Sequence, residues 1–172
     1  MGASSRQWRT VGGIAIEAAT CAFADAARLP ANFSLQPGVL EQSELRVQDG
    51  AQAGLPLIAC ATMEDCPLPV EVLRDEVGES LAARMCFTTD VDEVRGRWSP
   101  VGTLEITRGR ALAADPYCLP GEIYRLEFDL SNGRYVAEVF ECTEPKIGWD
   151  ILGLRIRRED LGEAEVSAGK MR

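Results

Sequence analysis

Between Tyr124 and Leu130 apolar and charged positions alternate, with Tyr124, Leu126, Phe128 and Leu130 set against Arg125, Glu127 and Asp129. A two-residue period sends successive side chains to opposite faces of a β-strand. Asn132-Gly133 follows, a pair that accepts the positive φ of tight turns, and alternation resumes from Tyr135 to Glu141. The pattern predicts a β-hairpin over 124–142. Another is expected over 101–115, where Leu104 and Ile106 alternate with Glu105 and Thr107 and Arg108-Gly109 offers the turn. Pro116 then ends ladder pairing because it has no N–H to donate, and Asp115 can cap the bend.

This stretch has a counterpart 90 residues earlier. Trp8, Val11, Gly12, Ile16, Ala24, Asp25, Leu29 and Pro30 recur as Trp98, Val101, Gly102, Ile106, Ala114, Asp115, Leu119 and Pro120, 8 identities in 23 positions. Self-similarity at a fixed offset is the mark of an internal repeat. It predicts a duplicated hairpin unit, 8–30 and 98–120, with Trp8 and Trp98 in equivalent core positions.

The remaining chain is punctuated by proline and glycine. Residues 26–54 read as loops with one short strand near 44–47, and 55–61 (LPLIACA) reads as a fully buried strand. Residues 70–87 carry two patterns. Val70, Leu73, Val77 and Leu81 have helical spacing, whereas Leu81, Ala83, Met85 and Phe87 alternate and Gly78 interrupts. The alternation favours a hairpin turning at 77–79. A last strand is expected over 149–157, with Leu152, Leu154 and Ile156 inward and Arg155 and Arg157 outward; 159–172 is expected to fray. No stretch resembles a linker, so 1–158 reads as one mostly β domain, an antiparallel sandwich or a partly open barrel.

Composition narrows the function classes. At 172 residues the chain can bury about 70% of its unfolded surface. Its net charge of −9 opposes phosphate, so no nucleic-acid partner is expected. No run reaches the roughly 18 apolar residues of a membrane span, and the first apolar run is broken by Glu17 without a basic start. The reading is therefore cytoplasmic, with no membrane partner. The 16 Arg against 2 Lys, with abundant alanine, suit a bacterial source. Six cysteines (21, 60, 66, 86, 118 and 142) form no C-x-x-C pair, and histidine is absent. Zinc sites want close-spaced thiolates, usually with imidazole, so no metal or cofactor is expected and the thiols read as reduced and buried.

Without histidine the commonest general base is missing, which excludes Ser–His and Cys–His nucleophile pairs. Carboxylate-pair chemistry stays open through Asp25 and Asp115, matched by the repeat, although each also suits an ordinary turn cap. Charge is the stronger clue. Glu64, Asp65, Glu71, Asp75, Glu76 and Glu79 face only Arg74, which places −5 of the net charge within 16 residues. On one hairpin edge these acids would steer a basic partner; charged strands also protect an edge from aggregation.

The run G-T-L-E-I-T-R-G-R-A-L-A-A-D-P-Y-C, followed by Asn-Gly and R-Y-V-A-E-V, resembles a group of uncharacterised bacterial β-rich proteins with a Gly-x-Leu…Asp-Pro motif. The resemblance spans 102–139, has Arg108 where that group has Ser, and implies β-rich architecture with no activity attached. The expectation is a protein-binding domain with a basic partner, such as an immunity protein that neutralises a bacterial toxin. A small-molecule or sugar-binding domain near Trp98, Tyr117 and Trp149 is the alternative, and a hydrolase using Asp25 and Asp115 is third.

Overall fold

Strands form where the two-residue period is strongest, and they stack as two antiparallel sheets. The computed structural model describes residues 6–35, 47–50, 55–62, 65–88, 94–143 and 151–167. One sheet contains β1 (Gln7–Ile14), β5 (Leu68–Arg74), β6 (Ser80–Cys86), β7 (Gly96–Ile106), β10 (Gly133–Cys142) and β11 (Ile151–Arg158). The other contains β2 (Thr20–Asp25), β3 (Val47–Asp49), β4 (Leu57–Ala61), β8 (Arg110–Ala114) and β9 (Arg125–Asp129). Their orders are β1-β5-β6-β11-β10-β7 and β3-β4-β2-β8-β9. Neither sheet closes on itself, so the architecture is a β-sandwich. Phe23, Ile58, Val72, Met85, Tyr135, Val139 and Leu154 fill the space between the sheets.

Both hairpins expected in 101–142 are overturned. β7 and β8 lie in different sheets, as do β9 and β10; β7 pairs with β10, and β8 with β9. The stretch is one long hairpin, turning at 115–124, whose two arms bend together to pass from one sheet to the other. Gly109 (φ +68°) and Asn132-Gly133 form that bend. Leu130 N–H donates to the Gly109 carbonyl and Gly109 N–H to Asn132 Oδ1, which tie the corners to each other. Glycine and asparagine permit a corner as readily as a hairpin turn, and alternation is the same in both cases. By contrast, 70–87 is the hairpin favoured above, β5–β6, with Gly78 at φ +86° in its turn.

The repeat is present, but its unit is this bent hairpin. β1 and β2 cross between sheets as β7 and β8 do; β1 pairs with β5 and β2 with β4. Trp8 faces Leu73, and Trp98 faces Phe140; Thr10 faces Glu71, and Pro100 faces Glu138. Val11 and its counterpart Val101 are each bulged out of register. The corner recurs too: Thr62 N–H donates to the Ala19 carbonyl and Ala19 N–H to Asp65 Oδ1, matching Leu130, Gly109 and Asn132. A pseudo-two-fold axis passes between Arg84 and its cross-strand neighbour Arg155 in one sheet, and through the Phe23–Ala113 pair in the other.

Ala19 occupies the position of Gly109 with φ +48°, in the left-handed region. A Cβ there costs roughly 1–2 kcal/mol, partly offset by the extra freedom glycine has when unfolded. Ala19→Gly should therefore raise stability by about 0.5–1 kcal/mol in urea unfolding. A loss of stability would mean that the strain is absent.

Part of each outer face is covered among the described residues. Leu29, Phe33, Leu55 and Tyr117 pack on the alanine-rich face of β2, β4 and β8. On the six-stranded sheet, Trp8, Leu73 and Leu81 lie under Leu161 and Val166. The expected fraying is thus corrected for 159–167, which ends in a short helix, α1 (Glu163–Ser167), held by those two apolar anchors. Leu152 is also corrected: a bulge between Val139 and Glu141 turns it outward, against Phe140 and Trp98. The predicted strand at 44–47 corresponds to β3, with 44–46 outside the described residues.

Candidate functional site: an acidic hairpin tip and a buried charge row

Residues 64–79 run the length of β5, so their acids separate instead of forming one face. Glu64 lies outside the described residues. Asp65 is a corner residue, accepting Ala19 N–H at 2.9 Å. Glu71 is buried and bonded to Arg84 Nε at 2.8 Å. Among the described residues, Asp75, Glu76 and Glu79 alone of these acids come together, on the β5–β6 turn.

That turn is built to hold its shape. Asp75 Oδ1 accepts the N–H groups of Val77 (3.0 Å) and Glu79 (2.8 Å), and Asp75 N–H donates to the Glu79 carbonyl. Gly78 supplies the positive φ that closes it. Val77 consequently projects into solvent, 86% exposed, between acidic neighbours. Arg158 at the end of β11 bonds Glu79 (3.1 Å) and Asp160 (2.6 Å). Its hydrogen bond holds Asp160 below the ordinary carboxylate value, while Asp160 lifts Arg158 above its own. A wide depression of about 510 Å³ lies alongside, lined by Asn132, Gly133, Arg134, Arg158, Glu159 and Asp160.

Asp25 and Asp115 are fully buried but not paired. Asp25 lies opposite Ala111, four residues before Asp115, which sets the two backbones about 13 Å apart along the strand. Each caps its own turn and ties down the other repeat's corner. Asp25 accepts Ala27 N–H, Arg28 Nε–H and the Thr107 hydroxyl. Asp115 accepts the N–H groups of Tyr117, Glu17 and Ala18. Thr107 and Glu17 are themselves equivalents under the repeat. Beside Asp115, burial and its carboxylate push the Cys118 thiol to about 11, so little reactive thiolate forms near neutrality. Tyr124, hydrogen-bonded to Glu17, is raised to about 12. The bonds of both carboxylates thus go to the turns and corners around them.

Sequence reading missed the most unusual feature, a row of buried charge across the outer face of the six-stranded sheet. Glu71, Arg84, Arg155 and Glu138 are each at most 4% exposed. Arg155 bonds Glu138 at 2.6 Å, and Arg157 reaches the other oxygen of Glu138 at 3.0 Å. Arg84 stacks over Trp8 at 4.4 Å and Arg155 over Trp98 at 4.3 Å. Arg155 faces outward as expected but is covered; burial lowers its value while Glu138 opposes the shift. Each Trp–Glu–Arg set is one repeat's copy of the other. The available signal was the repeat itself, yet the offsets are 90 for Trp, 67 for Glu and 71 for Arg, so no single shift aligns all three.

The aromatics proposed for a ligand pocket do not converge. Trp98 covers Arg155, Tyr117 packs on the opposite sheet's outer face, and Trp149 lies outside the described residues. Cys21 and Cys60 face each other in the core, 3.8 Å apart, and burial raises the Cys21 thiol; the other four cysteines are half-buried, not buried as expected. Among the described residues no helix is long and apolar enough to cross a membrane.

The arrangement defines an internally two-fold antiparallel β-sandwich with an acidic hairpin tip. No family model, curated protein or solved structure matches the chain.

Proposed function

We propose that the protein is a binding domain that engages a basic protein at the β5–β6 tip. The observation that carries this reading is Val77, held 86% exposed on a turn fixed by Asp75 and bordered by Glu76 and Glu79. An apolar anchor supplies burial on contact, and an acidic surround favours encounter with a basic surface. An immunity protein that neutralises a basic toxin in the bacterial cytoplasm is the concrete form of the proposal.

The test is affinity capture from the source lysate with wild-type and Glu76→Lys/Val77→Ser baits side by side. The wild type should retain a basic protein at low salt and release most of it at about 0.5 M, where charges are screened beyond a few ångströms. The variant should lose it at both concentrations while unfolding at the wild-type midpoint. Equal retention by both baits, or no basic protein on either, would overturn the proposal.

A further inference from the structure

We infer that the protein is a fused dimer in physical terms: residues 6–88 and 94–167 recognise each other through a complete protein–protein interface and do not need the connection between them. Each half is one bent hairpin plus a third strand, β6 in the first and β11 in the second. The six-stranded sheet is β1-β5-β6 joined to β11-β10-β7 at its middle, and the five-stranded sheet joins β4-β2 to β8-β9, with β3 added at one edge. Both seams are ladder-paired, β6 with β11 and β2 with β8.

The surface across the seams has the features of an obligate interface. Of the residues described in the main core, eleven come from the first half and twelve from the second. A half on its own would expose that apolar face together with two unpaired strand edges, which is a strongly association-prone surface. Specificity comes from reciprocal polar contacts. Asp25 takes the Thr107 hydroxyl from the other half at 2.7 Å, and Asp115 takes Glu17 and Ala18 N–H at 2.9 and 2.8 Å. Leu161 and Val166 of the second half close over Trp8, Leu73 and Leu81 of the first. In return, Cys86 of the first half packs on Phe140 and Leu152 of the second.

The partner that fits this surface is therefore the other half of the same chain. The ends of the described chain support the same view: Arg6 and Glu165 form a 3.0 Å ion pair, which brings them side by side. The pseudo-two-fold relates the step from β6 to β7 to the pair formed by the end of β11 and the start of β1.

The test uses the full chain with a protease recognition sequence in place of residues 89–93, cut after folding. The two fragments should co-elute in a one-to-one ratio with the circular dichroism of the uncut protein. Their unfolding midpoint should fall on tenfold dilution, as mass action requires of a two-chain complex, while that of the uncut protein stays constant. Fragments that separate on cutting, or that unfold at dilution-independent midpoints, would overturn the inference. Should the insertion itself prevent folding, a circular permutant with residues 172 and 1 joined by a short linker and the chain opened between 88 and 94 decides the matter. It should fold as a monomer with the parent spectrum, and an unfolded permutant would also overturn the inference.

Discussion

Glu138→Ala should be among the most damaging single substitutions in this protein, lowering unfolding free energy by about 3–5 kcal/mol. Glu138 is 1% exposed and accepts from both Arg155 and Arg157. Removing it leaves Arg155, 2% exposed, with the half-exposed Glu163 at 3.9 Å as its remaining carboxylate among the described residues, beside the like charge of Arg84 across the β6–β11 ladder. The loss belongs mainly to the stranded charge. Adding Arg155→Met should therefore recover much of it, because a hydrophobic side chain of similar length has nothing to leave unpaired. Urea unfolding of the single and double variants measures both effects. If Glu138→Ala costs less than about 1 kcal/mol, or Arg155→Met worsens it, the row is not the desolvated pair its geometry indicates. The symmetry-related Glu71→Ala, which removes the carboxylate 2.8 Å from Arg84 Nε, should also lower stability.

Phe23→Ala should cost about 3–5 kcal/mol, since its ring is wholly buried and meets Phe128 edge-on at 6.1 Å. The more informative variant is Phe23→Ala/Ala113→Phe. Phe23 and Ala113 face each other across β2 and β8, and the pseudo-two-fold exchanges their positions. Moving the ring across the axis conserves core volume, so the double variant should recover more than half of the loss. Ala113→Phe alone, which overpacks an intact core, should cost about 1–3 kcal/mol. A double-mutant cycle reads this as favourable coupling between adjacent sites. Additive losses would mean that the two sides of the axis are not interchangeable. Part of the loss should persist, because Phe128 has Cys60 as its counterpart and the moved ring meets a thiol in place of an aromatic edge.

These expectations rest on a symmetry that was only partly legible. Eight identities at one offset pointed to a repeat in 8–30 and 98–120, and the shared bulge and the two capping carboxylates fall within it. The second part of each repeat was hidden. Residues 26–56 separate β2 from β4, where a short turn separates β8 from β9, so the equivalence continues at changed offsets. The candidate site was legible in the same partial way. The acids of 64–79 stood out by number, yet among the described residues Asp65 serves a corner, Glu71 a buried ion pair, and only the turn acids share a surface with Val77. Charge is counted along the chain, whereas a seven-residue strand carries its two ends about 20 Å apart.

Local alternation determined where most strands lie, that 70–87 turns back on itself at Gly78, and that the whole is β-rich. These are properties of neighbouring residues, because side-chain direction in a strand depends only on its own backbone. Which strand lies beside which was decided by tertiary structure alone. Gly109 and Asn132-Gly133 allow either a hairpin or a change of sheet, and the choice depends on apolar faces contributed by both halves of the chain. The same holds for Glu71, Arg84, Glu138 and Arg155, polar letters at outward positions. They became buried only because Trp8, Trp98 and the C-terminal segment came to lie on that face, and an opposite charge was there to meet each of them.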